Sequence, residues 1–293
     1  MATPRDVMRS PMSIVDRIAA IEGLDGVADK AAEVVKTVTS NLGRGVTNGL
    51  HGTWLGHPLH PALTDVPLGA WSVTFCADLL EMAGARRFMA VADTSVAVGL
   101  AGAVGSIATG WNDWQHTYGR SRRIGLVHAL LNGMVTVAYT GSMAARMSGN
   151  RGRGKFLSMT GYAMSGLSAY LGGVLVYSEG IGVDHARGVT APPEFKRVML
   201  ESDLPQGQPQ LAEIDGSRLL LLRRGNDVSA IAESCAHLGG PLSEGELNGD
   251  VITCPWHGSR FNVRTGELID GPSVYPQPCF TARIYDGWVE VRQ

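Results

Sequence analysis

Two short runs in the last quarter of the chain hold the residues best suited to binding a metal: Cys235-Ala-His237 and Cys254-Pro-Trp-His257. Thiolate and imidazole are ligands for zinc and for iron–sulfur centres, and two such pairs supply four ligands. Spacing alone also admits a Cys2His2 zinc site. The remaining six of the eight histidines are His51, His57, His60, His116, His128 and His185. An imidazole can ligate haem or another metal, and it can equally cap a helix or hydrogen-bond in a polar layer. His57, His60 and His128 are the candidates for a second centre, because two flank one apolar stretch and the third lies inside another. Cys76 and Cys279 are expected to be buried small hydrophobes.

The elements that must position these residues fall into two regions. Four apolar stretches, 66–84, 89–110, 124–145 and 157–178, each have roughly the length needed to cross a bilayer as a helix. The first is entered through Thr64, Asp65 and Pro67, residues suited to a helix start. Gly99, Gly102, Gly105, Gly133, Gly141, Gly166 and Gly172 lie inside the stretches, where small residues let helix backbones approach closely. The reading is a transmembrane four-helix bundle. Asp78, Glu81 and Asp93 must then face the bundle interior or water, as a proton relay or as terminal groups reaching the headgroups. Because successive spans alternate direction, all six remaining histidines fall on one membrane face. Upstream, Ile14, Ile18 and Ile21, then Val27, Ala31, Val34 and Val38, recur at helical spacing. Gly23 and Gly26 divide this segment, and Asn41 with Gly43 stop it. It packs on its own protein or lies in the membrane interface. No cleavable signal peptide is visible over residues 1–41.

Residues 180–193 have Gly and Pro but no periodic face and read as a linker. Beyond it come short β segments at 195–200, 218–222, 227–231, 251–253, 282–284 and 288–291. Turn pairs Asp215-Gly216, Asn248-Gly249 and Asp286-Gly287 separate them. The charge follows the same division. Residues 1–190 carry 16 Lys+Arg and 13 Asp+Glu, whereas residues 191–293 carry 9 and 14. The net charge of −2 gives no electrostatic footprint for nucleic acid. Four cysteines in 293 residues make no disulfide scaffold.

Cys235-Ala-His237-Leu-Gly-Gly-Pro-Leu242, Cys254-Pro-Trp-His257-Gly-Ser-Arg-Phe261 and Thr265-Gly-Glu267 closely resemble the cluster-binding loops of Rieske iron–sulfur proteins. The resemblance covers residues 195–293. It implies a [2Fe–2S] cluster with Cys235 and Cys254 on one iron, and His237 and His257 on the other near the surface. Rieske proteins of the quinol-oxidising complexes carry an extra, disulfide-bonded cysteine in each loop; here those positions hold Gly240 and Trp256. The chain thus looks more like the ferredoxins that feed oxygenases, although Ser259 sits where a hydroxyl could bond a cluster sulfide, as in higher-potential members. A terminal Rieske oxygenase is not expected, because its second iron domain would follow His257 and no histidine does. His57-Pro-Leu-His60-Pro, Asn112-Asp-Trp114 and His128 resemble an uncharacterised prokaryotic four-helix membrane family over roughly 48–185.

The expected organisation is an N-terminal amphipathic helical segment (1–47), a transmembrane domain (48–185), a linker (186–194) and an all-β Rieske domain of antiparallel sheets (195–293). The expected function is single-electron transfer between a membrane or cytoplasmic donor and an acceptor. The redox partner would be a reductase, an oxygenase or a respiratory component, and the chain is expected to be an oxidoreductase component or electron carrier rather than a complete catalyst. The alternative is a redox or metal sensor whose bundle signals to a partner. The bundle is expected to bind haem b or a quinone, or to serve only as an anchor. Lysines and arginines number seven on one membrane face and six on the other, which decides nothing under the positive-inside rule. The lack of the extra cysteine pair and of a visible signal peptide points to a β domain on the cytoplasmic side of a prokaryotic membrane. Arg120, Arg122 and Arg123 form a basic surface on which the acidic β domain could dock.

Overall fold

The structure, a computed structural model, describes residues 13–293. Residues 1–12, part of the expected N-terminal segment and of the stretch read for a leader, lie outside the described residues. The chain forms two compact units. One holds residues up to 38 together with 63–179; the other holds 39–62 together with 180–293.

The helical unit is built on four long helices: α4 (Leu59–Met82), α5 (Met89–Trp114), α6 (Gly119–Met147) and α7 (Arg151–Tyr177). Each begins before the apolar stretch that signals it in the sequence or at its first residue. Residues 86–114 and 119–147 are long and apolar enough to cross a membrane. Inside, Trp71 stacks on Tyr139 with ring centroids 4.1 Å apart, and Phe75 stacks on Tyr162 at 4.7 Å. A β-carbon on Gly99 would lie 2.1 Å from the Trp71 indole, and one on Gly102 would lie 2.7 Å from Val66. Those two glycines therefore set how closely α4 and α5 approach. Gly133 and Gly166 face open space instead. Close packing was the wrong expectation for these two.

Asp78, Glu81 and Asp93 are ion-paired with bases of α6 and α7. Asp78 and Arg146 are fully buried and 2.5 Å apart, and Ser158 donates to the same carboxylate at 2.6 Å. Arg151 bridges Glu81 and Asp93 at 2.9 Å each, with Lys155 also on Glu81. The basic surface expected at Arg120, Arg122 and Arg123 is likewise neutralised. These residues pair with Asp16 and Glu179, Asp29, and Asp25 respectively.

Those last pairs hold down α1 (Ile14–Ala19) and α2 (Asp25–Ser40). Ser13 and Asp16 form a reciprocal capping box at the start of α1. Gly26 does not divide the segment; it lies in the first turn of α2. The packed face of α2 is its small one: Ala28 and Ala32 bury against Trp114 and Leu126, while Val27, Val34 and Val38 stay exposed. The face marked by the periodicity is thus mostly the exposed one, and the helix packs through the neighbouring alanines, which allow closer approach than the bulkier valines.

In the second unit, α3 (Arg44–His51) precedes the β domain by more than a hundred residues yet groups with it. The strands are β1 (Lys196–Leu200), β2 (Gln210–Ile214), β3 (Ser217–Arg224), β4 (Asp227–Ala232), β5 (Glu246–Asn248), β6 (Val251–Thr253), β7 (Arg260–Asn262), β8 (Leu268–Asp270), β9 (Cys279–Tyr285) and β10 (Trp288–Arg292). They make an antiparallel six-stranded sheet, β1-β10-β9-β4-β3-β2, and an antiparallel four-stranded sheet, β5-β6-β7-β8. Leu219–Leu222 explain the layering. Leu219 and Leu221 enter one core with Val289 and Phe280, while Leu220 and Leu222 enter the other with Ile252 and Phe261. A strand buried on both faces reads as an unbroken apolar run.

Residues 180–193 are not a free linker. His185 N–H donates to Ala236 O at 3.1 Å, Tyr275 OH donates to Gly182 O at 3.1 Å, and Ala186 is fully buried in the β-domain core.

Candidate metal centre

The four candidate ligands sit on two loops, one joining β4 to β5 and the other joining β6 to β7. The loops share one hydrogen-bond plan. Cys235 N–H donates to Gly240 O and Gly239 N–H returns to Cys235 O, both at 2.8 Å. In the second, Cys254 N–H donates to Ser259 O at 2.8 Å and Gly258 N–H returns to Cys254 O at 3.0 Å. Gly239 and Gly258, at φ +76° and +79°, close the two turns in the left-handed region that side chains disfavour. The Cys-Ala-His and Cys-Pro-Trp-His runs are thus twin supports presented by one core.

The sulfurs and the imidazoles are segregated. Cys235 and Cys254 are buried side by side, whereas His237 and His257 are half-buried with ring centroids 5.0 Å apart. Among the described residues, no three His, Cys, Asp or Glu side chains converge on one ion position. Two sulfurs inside and two nitrogens outside suit a group with two metal positions.

Local dipoles favour thiolate. The Cys235 thiol hydrogen-bonds Cys254 and holds it down to about 7 against burial, helped by the N–H groups of Trp256 and His257. The same hydrogen bond, with burial, pushes Cys235 up. Ser259, fully buried, has a hydroxyl that favours thiolate at Cys235, and that hydroxyl accepts from Ser273 N–H at 2.9 Å. A β-carbon on Gly240 would come within 2.8 Å of the Cys254 sulfur and 3.1 Å of the Trp256 ring. Gly240 and Trp256 are therefore neighbours, with the indole standing against the bare glycine.

Reasoning from the sequence missed Glu233. It is fully buried two residues before Cys235, and its carboxylate accepts from Ser243 N–H at 3.1 Å and Ser243 Oγ at 2.6 Å. Burial pushes its carboxyl up, against those two hydrogen bonds. An acid embedded in an otherwise apolar run was the available signal. Cys279 and Cys76 are exposed, not buried as expected; Cys279 lies on the outer face of β9 with its thiol donating to Arg264 O.

His57 and His60 belong to the unit containing the β domain, whereas His128 is in the helical unit. His57 Nδ1 lies 3.0 Å from Pro58 O. His128 Nδ1 lies 2.9 Å from Ser168 O, and its Nε2 lies 3.1 Å from Asn132 Nδ2. A haem iron on His128 would have to displace one of these contacts.

Residues 194–281 match the Rieske [2Fe–2S] domain family. Ferredoxin CarAc of Metapseudomonas resinovorans is 35% identical over 96 residues, which cover 32% of this chain and 90% of that one. The chain belongs to the Rieske [2Fe–2S] family. Residues 56–185 match a second family, predicted membrane protein DUF2231, so the Rieske domain follows a region matching a predicted membrane-protein family. Apoptosis-inducing factor 3 of Mus musculus is 34% identical over 90 residues, 31% of this chain. The Rieske chain spans only 15% of that relative's length. The cytochrome b6-f complex iron-sulfur subunit of Chlorobaculum tepidum is 29% identical over 90 residues, 31% of this chain and 49% of the subunit. Family membership supports a [2Fe–2S] cluster and electron transfer, and the DUF2231 match with two apolar helices supports membrane association.

Proposed function

We propose that this protein is a membrane-anchored single-electron carrier whose cluster is held by Cys235, His237, Cys254 and His257. The observation that carries the reading is the sorting of ligands: two buried sulfurs behind two half-buried imidazoles 5.0 Å apart. A [2Fe–2S] group with this mixed ligation takes up and releases one electron, at a potential raised because neutral imidazoles replace thiolates. The chain's own residues do the rest. Backbone N–H groups of His237, Trp256 and His257 and the Ser259 hydroxyl favour negative charge on the sulfurs. The imidazoles form the outward edge, where a redox partner can approach and where a proton can accompany the electron.

The partner is a redox protein: a reductase, an oxygenase or a respiratory component. The name of Ferredoxin CarAc and that of the b6-f subunit support this class. All four long helices cross the bilayer in this reading, with the β domain on the cytoplasmic face of a prokaryotic membrane. Two of the helices meet the length and hydropathy of a span. The buried pairing of Asp78 with Arg146 lets charge persist inside such a bundle.

The test is spectroscopic. Reduced, detergent-solubilised protein should show an EPR signal with the low average g value of mixed Cys/His ligation, and Cys235→Ser or His257→Cys should alter or abolish it. Stoichiometric zinc without acid-labile sulfide overturns the reading.

A further inference from the structure

Asn48, on α3, clasps the chain segment that supports the metal centre. Its amide nitrogen donates to Asp270 Oδ1 at 2.9 Å, and its amide oxygen accepts from Gly271 N–H at 3.0 Å. The two bonds fix the amide's orientation, since only the nitrogen can donate to a carboxylate and only the oxygen can accept from the backbone. Arg260 and Arg44 hold the other oxygen of Asp270 at 2.8 and 3.3 Å. Two residues beyond Gly271, the buried Ser273 donates its N–H to Ser259 Oγ at 2.9 Å. Ser259 in turn accepts the Cys254 N–H on its carbonyl oxygen at 2.8 Å, and its hydroxyl favours thiolate at Cys235. A continuous run of contacts therefore leads from Asn48 to Cys254, a candidate ligand 206 positions away in the chain.

We propose that Asn48 is a positioning residue for the electron-transfer centre. It fixes Asp270–Gly271, which keeps the Ser273 N–H on Ser259 and the Ser259 hydroxyl aimed at the Cys235 sulfur. A hydroxyl held in that direction stabilises the extra negative charge of the reduced state; a hydroxyl free to rotate does so less well. Residues just ahead of α4 thereby adjust the potential of a domain encoded far downstream. The inference rests on the Rieske reading above.

The experiment uses the full-length protein in detergent. Midpoint potentials come from EPR-monitored titration, and amide exchange at Gly271 and Ser273 is measured on the same samples. Asn48→Ala should speed both amides and lower the equilibrium constant for reduction by up to about tenfold, or about 59 mV for a one-electron couple. Asn48→Asp, which sets a carboxylate against Asp270, should do the same. The swap Asn48→Asp with Asp270→Asn restores a donor and an acceptor in reversed places and should recover most of the potential. In a Ser259→Ala background, Asn48→Ala should produce no further shift, because its route to the sulfur is already cut. An unchanged potential with faster exchange makes the clasp purely structural and overturns the proposal. Equal shifts with and without Ser259 also overturn it. A wild-type sample with no Rieske signal instead defeats the underlying functional reading, so the two failures are distinguishable.

Discussion

Gly240 and Trp256 show how a single missing β-carbon shapes the centre. The Gly240 backbone lies so close to the Cys254 sulfur and the indole that a methyl group there must displace one of them. Gly240→Ala should therefore reduce iron and labile-sulfide content and lower stability by about 1–3 kcal/mol, the usual cost of overpacking. Iron analysis with a thermal melt checks this, and full occupancy at unchanged stability contradicts it. At this scale the sequence was most legible for the ligand loops, because both ligands of each pair lie within three residues and the closing glycines follow at fixed offsets. Asn48 was illegible, because its side-chain partners are more than 220 positions away. Glu233 carried a signal, an acid in an apolar run, but its burial shows only once β4 is seen to end in the core.

Among the elements, the long helices were readable because hydropathy over some twenty residues is a strong signal. Strands β5, β7 and β8 were not, since three residues carry no period and, unlike the Val-Ile-Thr of β6, these are not β-branched throughout; β2 was missed with them. Composition also concealed the polar centre of the bundle, where Arg146 meets Asp78. Both side chains are essentially inaccessible, at 1% and 0%. Removing one partner strands the other, so Asp78→Ala or Arg146→Ala should cost about 3–5 kcal/mol. The double variant Asp78→Leu with Arg146→Met should recover much of that loss in detergent melts. If each single variant melts like wild type, the pair is not buried as described. The clasp on α3 has its own pH signature. Burial alone would raise the Asp270 carboxyl, but hydrogen bonds from Asn48 and Arg260 and the charges of Arg260 and Arg44 outweigh it and hold it below the usual range. A depressed folded-state value contributes stability above the unfolded pKa, about 3.9, and loses it as pH falls through the folded value. The stability gap between wild type and Asp270→Asn should therefore narrow below about pH 4, and a pH-independent gap contradicts the assignment.

For the whole molecule, the important change is in residues 180–193. Read as sequence, they were a linker with no periodic face. In the structure they belong to the domain, through the His185–Ala236 and Tyr275–Gly182 hydrogen bonds and the buried Ala186. Gly and Pro mark the absence of a repeating face, but they do not report whether an irregular segment packs. A break at residue 180 should release a soluble, coloured fragment, because all four candidate ligands lie downstream. A fragment starting at 190 loses two hydrogen bonds and a core side chain, a destabilisation of about 2–4 kcal/mol. For a domain of this size that lowers Tm by roughly 10 °C or more. The longer fragment still lacks α3, so its midpoint potential should match that of full-length Asn48→Ala rather than wild type. Full-length protein should leave the membrane only with detergent, whereas both fragments should be recovered without it. Equal melting temperatures for the two fragments would mean that 180–189 is a leash after all, and full-length protein found free in buffer would remove the membrane anchor from the reading.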